Sequence, residues 1–498
     1  MALMRIAIVG SGFAGSILAR ILALQGHRVL LVDRARHPRF ALGESSTPLA
    51  AICLERLAAR YGLDDLHALA AWGRWMERLP HLRRGLKRGF TFYGPEQRRM
   101  LVAASPSDAI ADTHWLREDV DHHLAKKAAE TGAEILEEVD LDGLEALSEG
   151  WRLSGTQRGR SVRFEADLLI DASGPGGFLA RHLPIPSMEV AAPRTSLIFG
   201  HFEGVSGFPG AGNDGPYPDE KAAVHHLLEE GWMYVLPFDH GVVSAGFVIT
   251  GDFPLSSDAG WDQILSRYPA LRDQFASARP VRPLGRIPRL QHRLTRAAGD
   301  RWVLLPHAFC FLSPLFSTGI AWSLLAVERL ALLLEAGGDP EGISRYGVLL
   351  VQEADHLQKL IAGAYEAMRD FDRFASYSFL YFAAASFAEA SQRLLPEPDG
   401  VPWVWQGFLG STDSTTREIL DRVLMALRQG PAERFGEEVR NAIAPRNLAG
   451  VADPARNGLY PVDLDSLVES AGLLGLTREE ILREVPRLRG AVVRGVQQ

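Results

Sequence analysis

The chain has 498 residues, 47% of them hydrophobic and 23% charged, with a net charge of −8. Such a length and balance suit a globular protein of two or three packed units and argue against a nucleic-acid-binding surface, which needs a basic face. Its two cysteines, Cys53 and Cys310, lie far apart and outside any CxxC pair. Neither a disulfide framework nor a thiolate metal site is expected, and a reducing cytoplasm suits them.

The first 24 residues are apolar enough to resemble a targeting or membrane segment, but Gly10, Gly12, Gly15 and Arg20 interrupt them. No small-residue cleavage site follows, so a buried strand–helix–strand start is expected instead. "RIAIV" (5–9) reads as a strand. Gly10-Ser11-Gly12-Phe13-Ala14-Gly15 then opens a helix to about Gln25, with Gly26 as C-cap. "RVLLVD" (28–33) is a second strand ending at Asp33, with Arg34 next. Strand, glycines, helix and acid are all in register as a dinucleotide-binding fingerprint. The helix N-terminus receives phosphate and Asp33 accepts from ribose hydroxyls. The pattern does not separate NAD from FAD.

"GLKRGFTFYG" (85–94) alternates like one strand. Lys87 would share a face with Gly89 and Thr91, and Arg88 the other with Phe90 and Phe92. Lys87 is then either a solvated charge or an amine in a cavity left by small neighbours. Residues 113–135 read as a helix with Val120, Leu124 and Ala128 on one face and Arg117 at its start. That guanidinium is either solvated or turned to the cofactor. "ADLLIDASGPGG" (166–177) is a strand running into Asp171, of the kind FAD proteins bring back to the cofactor, or a plain strand and turn. Residues 207–218 and 395–402 read as loops. Residues 320–338 form a long amphipathic helix, interrupted by Glu328 and Arg329 and so poorly suited to span a membrane. The aromatic run at 376–387 either packs the core or roofs a cavity, and Trp72, Trp75 and Trp115 read as core. The pairs His122-His123 and His225-His226 would point about 100° apart on a helix and are expected in solvated or capping roles. Thr477 and Glu480 have capping-box spacing.

Three further segments join the fingerprint: Gly43-Glu44-Ser45-Ser46-Thr47-Pro48, Trp232-Met233-Tyr234-Val235-Leu236-Pro237, and Ser313-Pro314-Leu315-Phe316-Ser317-Thr318-Gly319. As a set, from residue 5 to about 335, they resemble the flavin-dependent halogenases, within the FAD monooxygenase-like proteins. The resemblance implies an α/β chain: a Rossmann-type FAD-binding fold with an inserted antiparallel substrate sheet and a helical C-terminal region. The FAD-binding domain would be discontinuous over 1–345, with the sheet inserted at about 49–100 and 181–285, followed by a mostly helical 346–498.

The resemblance also implies chemistry. Reduced FAD from a separate flavin reductase, oxygen, and chloride or bromide would give hypohalous acid, which travels to Lys87 beside an aromatic substrate. FAD would be held by Gly10, Gly12, Phe13, Ala14, Gly15, Asp33, Arg34, Glu44, Ser45, Arg117, Asp171, Pro314, Gly319 and Ile320. Halide would sit on backbone N–H groups of Ser317, Thr318 and Gly319, and no metal is needed. Phe316 stands where tryptophan-halogenating members carry glutamate, which leans toward a phenolic or pyrrolic substrate, free or carrier-bound. "GLKRGFTF" matches the lysine strand of the phenolic members. The family pattern is broken by Tyr234, Leu236, Ser313 and His307. Neither nucleic acid nor stable membrane insertion is expected, and the placement would be cytoplasmic. Two rivals stay open: an FAD monooxygenase or oxidoreductase of the same fold that does not halogenate, and a non-catalytic flavin- or nucleotide-binding protein.

Overall fold

The computed structural model describes residues 3–95, 98–207, 215–251, 256–397 and 402–484. The loops expected at 207–218 and 395–402 lie partly outside these residues.

The near-continuous apolar runs of the first strands suit a parallel sheet covered on both faces. Arg5–Val9 is central, with Arg28–Val32 on one side and Leu168–Asp171 on the other, all parallel. Glu134–Leu136 extends one edge and Trp302–Leu304 the other, and Ala298–Gly299 closes the latter antiparallel. Helix Phe13–Leu24 packs between helices Arg117–Glu130 and Thr318–Glu335. A three-stranded antiparallel ladder runs through Val139–Leu147, Gly150–Gln157 and Arg160–Ala166.

A second, nine-stranded sheet carries Thr195–Glu203, Val242–Thr250, Gly231–Pro237 and Ala223–Leu228 as successive antiparallel neighbours. Gly89–Tyr93 joins Ala223–Leu228 in parallel. Leu459–Tyr460 then adds to the Arg99–Ala103 edge, so a late segment of the chain completes this sheet. Helices Pro340–Ala367 and Phe371–Leu394 cover the region between. Among the described residues no helix is long and apolar enough to cross a membrane.

Three expectations are corrected. First, residues 85–94 are two strands. Arg84–Lys87 pairs antiparallel with Asp112–Trp115 in its own ladder, while Gly89–Tyr93 belongs to the large sheet. Arg88 makes the break: its N–H donates to Lys221 O at 2.7 Å and its guanidinium pairs with Asp108. Lys87 therefore does not share a face with Gly89 and Thr91. Gly89 has no room to spare, since a β-carbon there would lie 2.1 Å from Val102 O. Second, the helix at 113–135 begins only at Arg117, because Asp112–Trp115 is a strand.

Third, His225 and His226 are strand neighbours on opposite faces, and both are buried. His225 stacks on Phe92 with centroids 4.8 Å apart, and His226 on Tyr93 at 5.0 Å. By contrast, His122 is exposed and His123 contacts Asp65. Burial pushes His225, His226 and the equally buried His114 down to about 3, with the Lys87 charge assisting at His114 and His225. A folded-state pKa below the unfolded 6.5 means that the unfolded chain binds protons first as the pH falls. Their stabilising contribution is full above about pH 6.5 and is lost toward pH 3, by up to about 2 kcal/mol per histidine at pH 5. Thermal unfolding midpoints should therefore fall more steeply from pH 7 to pH 5 in the wild type than in His226→Gln. Parallel curves would contradict this.

Trp75 and Trp115 are buried edge to face, whereas Trp72 is half-buried with its indole N–H on Asp239. Thr477 and Glu480 cap one another reciprocally.

Candidate active site

A cavity of about 1030 Å³ opens at the carboxyl ends of the parallel strands and extends to the large sheet. Gly10, Gly12, Phe13, Ala14, Gly15, Asp33, Arg34, Glu44, Ser45, Arg117, Pro314, Ser317, Thr318, Gly319 and Ile320 all line it. Gly10 turns the chain with φ +108, and a β-carbon at Gly15 would lie 2.1 Å from Gly10 O. Only glycine permits this approach of helix to strand.

Each predicted residue has a definite environment. Asp33 accepts from Ser11 N–H and hydroxyl, both at 2.8 Å, and from Arg39 at 3.0 Å. Burial opposes its charge, but Arg39 and the backbone donors outweigh that and hold the carboxyl below its usual range. Arg117 lines the cavity, and four of its five N–H donors are taken up within the protein. It forks onto Asp121 at 2.9 Å and donates to Leu42 O and Gly43 O. These bonds fasten the 42–43 loop to the helix. Asp171 does not line the cavity. Its carboxylate accepts from Ser173 and Leu179 N–H, and the residues it shapes, Ala172 to Gly176, form the wall instead.

The residues present fit FAD. Gly12 caps helix Phe13–Leu24 without a side chain of its own, and Asp121, paired with Arg117 and Arg39, accepts from Phe13 N–H at 3.2 Å beside it. Arg34, Arg39, Arg181 and Arg289 line the same space, a donor set suited to a diphosphate. Asp33 suits a ribose hydroxyl, and Leu42, Phe311 and Leu312 supply apolar wall.

At the far end, Ser317 takes a left-handed turn with φ 53 directly before helix Thr318–Glu335. Ser317 N–H is already donated to Pro314 O at 3.0 Å. Thr318 and Gly319 begin the helix, where N–H groups have no partner within the helix and a small anion is favoured. A β-carbon on Gly319 would lie 2.7 Å from His307 Nε2, so this glycine fits closely under the imidazole. Burial and the Arg117 charge push His307 down to about 4, which keeps it neutral.

Lys87 does not line this cavity. It is fully buried, its Nζ donates to Ser46 O at 2.5 Å, and it lies 4.1 Å from the centroid of the Phe90 ring. Burial lowers its pKa, with Asp112 opposing. The wall between amine and cavity is aromatic. His225 lines the cavity and stacks against Phe90 and Phe92 on its other side. Trp232, beside His225, lines the cavity too and donates to the Tyr365 hydroxyl at 3.0 Å. Phe316 stacks on Tyr381 with centroids 4.7 Å apart, and Tyr381 meets Phe90 edge to face. The aromatic run at 376–387 thus packs around the lysine.

One group, Asp112, escaped sequence reasoning. Asp112 stands opposite Lys87 in their ladder. Its one available signal was an acid in the short alternating run "DTHW". Glu44 is buried, with one oxygen 2.7 Å from His201 Nε2 and the other accepting from Ser244 at 2.6 Å. It ties the 43–48 loop to the large sheet, a pairing over more than 150 residues that no local pattern reports.

Residues 113–374 match the family model described as tryptophan halogenase, and residues 4–201 match the FAD binding domain model. Among curated proteins, the chain is similar to tetracycline 7-halogenase of Kitasatospora aureofaciens, 31% identical over 360 residues. That match covers 65% of this chain and 64% of the relative, just under two thirds of its length. Similarity to the monodechloroaminopyrrolnitrin halogenase PrnC of Pseudomonas fluorescens is 28% over 400 residues, 73% of this chain and 68% of the relative. Among solved structures, halogenase PltM in complex with phloroglucinol and FAD aligns with a TM-score of 0.83 at 23% identity, over 92% of this chain and 99% of that one. A flavoprotein/dehydrogenase of Cytophaga hutchinsonii aligns at 0.62 and 19%, over 86% and 100%. At these identities the structural likenesses concern the fold.

Proposed function

The chain belongs to the flavin-dependent halogenases, through the tryptophan halogenase family, and from that premise we propose that it halogenates a phenolic or related electron-rich aromatic. Its cofactor is FAD. When bound and reduced, FAD supplies with oxygen the oxidising power that turns chloride or bromide into hypohalous acid.

The protein's own residues do the rest. Thr318 and Gly319 hold the halide at the helix N-terminus. His225 and Trp232 keep bulk water from the oxidant. Lys87, on the other side, receives it and presents it to the ring. The observation that carries this proposal is the amine itself, fully buried and set against aromatic rings behind the cavity wall. Burial favours the neutral amine, the form with a free electron pair. Phe316 and Tyr381 offer stacking rather than a carboxylate at the turn, which suits a ring already activated by its own hydroxyl. Phloroglucinol, bound by PltM in the structure named above, is such a ring.

Reduced flavin comes from a separate reductase, as membership of the family implies. The substrate is a free phenol or one tethered to a carrier, and the two unpaired, buried cysteines suit a cytoplasmic placement. A second possibility, a non-halogenating oxidoreductase, is favoured by one fact: Lys87 does not line the cavity, and chemistry confined to the cavity would not need it.

The test is a panel of phenols, pyrroles and tryptophan incubated with reduced FAD, oxygen and bromide, read by mass spectrometry. Brominated phenols should dominate. Tryptophan as the preferred substrate would overturn the substrate class, and products lacking bromine throughout would overturn the activity.

A further inference from the structure

Lys87 and Asp112 are direct register partners in the antiparallel ladder of Arg84–Lys87 and Asp112–Trp115. Both are buried, Lys87 completely and Asp112 to 4% exposure. Among the described residues Asp112 Oδ2 has no hydrogen-bond partner, and Lys87 spends one N–H on Ser46 O. A buried ammonium and a buried carboxylate on facing residues that make no hydrogen bond or ion pair within 4.0 Å of one another repay little of their desolvation. Moving one proton from amine to carboxylate removes both charges at once.

We propose that Asp112 is the acid–base partner of Lys87, the two holding a single proton between them. This rests on the halogenase reading of the same site and supplies what Phe316 withholds, a carboxyl group beside the lysine. In the resting pair the amine is neutral and Asp112 carries the proton. Hypohalous acid meets the amine: an N–X bond forms, the O–X bond breaks, and the Asp112 proton converts the departing hydroxide into water. The Asp112 carboxylate then neutralises the N-halo-ammonium. When the aromatic ring takes the halogen, the N–X electron pair returns to the amine and the displaced ring proton returns to Asp112. The pair ends as it began.

The surroundings leave the proton with these two groups. His114, from the Asp112 strand, and His225, from the large sheet, face Lys87. Burial, the largest cause, holds both at about 3, so neither competes for the proton near neutral pH. Helix Phe371–Leu394 brings Tyr381, Glu389 and Arg393 into the field of Asp112. Burial pushes the Tyr381 phenol far up, and Glu389 and Arg393 pair with one another at 2.9 Å, so their charges offset.

The experiment compares wild type, Asp112→Asn and Asp112→Glu by two readouts. Infrared spectra of the resting proteins should contain a protonated-carboxyl band in the wild type that Asp112→Asn lacks. A structural role alone would not produce that band. Bromophenol formed per flavin oxidised should fall about 100-fold in Asp112→Asn, the loss expected of an acid–base group, and recover in part in Asp112→Glu. Wild-type yield should also drop at high pH, where the pair loses its one proton, and the residual Asp112→Asn activity should lack that alkaline limb. Identical carboxyl bands in wild type and Asp112→Asn, or wild-type yield from Asp112→Asn, would overturn the proposal. If the wild type itself brominates nothing, the halogenase reading fails, and the infrared comparison still decides where the proton lies.

Discussion

Replacing Lys87 with methionine should abolish halogenated product while reduced flavin is still consumed by oxygen. The two events are separated in the protein: the cofactor cavity does not include Lys87, whose amine is held by Ser46 O and packs on the Phe90 ring, and His225 on the cavity side stacks against that ring. Methionine keeps an unbranched stem of similar volume, so the packing over Phe90 and under the Phe371–Leu394 helix is largely preserved. It removes the amine nitrogen from that chamber and leaves the neighbouring imidazoles of His114 and His225 in place. The expected loss is about 10³-fold or more in product per flavin oxidised, the scale of deleting a group that reacts covalently or transfers protons. Release of hypohalous acid into solution should be detectable instead, for example by bromination of an added dye. Product formed at the wild-type rate would show that Lys87 is a packing residue.

Breaking the Arg329–Glu353 pair should cost more stability than any other single polar change. Both side chains are completely buried, with the guanidinium forked onto the carboxylate at 2.6 and 2.9 Å. The same carboxylate accepts from Trp322 and from Phe408 N–H, both at 2.7 Å. It therefore fastens the helix that begins at the Thr318 turn to the following helix and to the 403–410 segment. Removing one partner leaves a charge with no water and no counter-ion, at about 3–5 kcal/mol. Glu353→Ala should lower the denaturant midpoint accordingly. The double variant Arg329→Met with Glu353→Leu should be more stable than either single variant, because two buried charges vanish together. Singles within about 0.5 kcal/mol of wild type would contradict this assignment.

The nucleotide-binding half was legible because its signals are local. Gly10, Gly12, Gly15 and Asp33 all belong to one strand–helix–strand unit spanning Arg5–Val9, Phe13–Leu24 and Arg28–Val32, so their pattern reads without a distant partner. The GESSTP and PLFSTG segments were legible as motifs for the same reason, and the structure lines one cavity with residues of both. What local pattern could not supply was pairing at a distance. Lys87 was singled out by its motif, but the break at Arg88 depends on Lys221 and Asp108, so alternation alone drew one strand where there are two. His225 and His226 were judged on helical spacing, and their strand is set by a parallel partner more than 130 residues earlier. Asp171 was expected to face the cofactor, yet the nearest unpaired donors are those of its own turn, and these claim its carboxylate. Asp112 was missed because an isolated acid carries no signal until its register with Lys87 is known.

The central claim is that the oxidant is spent as halogen on an aromatic ring rather than as oxygen. One incubation addresses it: reduced FAD, bromide, a phenol, and oxygen gas enriched in the heavy isotope, with products read by mass spectrometry. We predict a brominated phenol that carries no heavy oxygen, because the oxygen atom leaves as water. A hydroxylated phenol carrying the isotope, without bromine, would contradict the account.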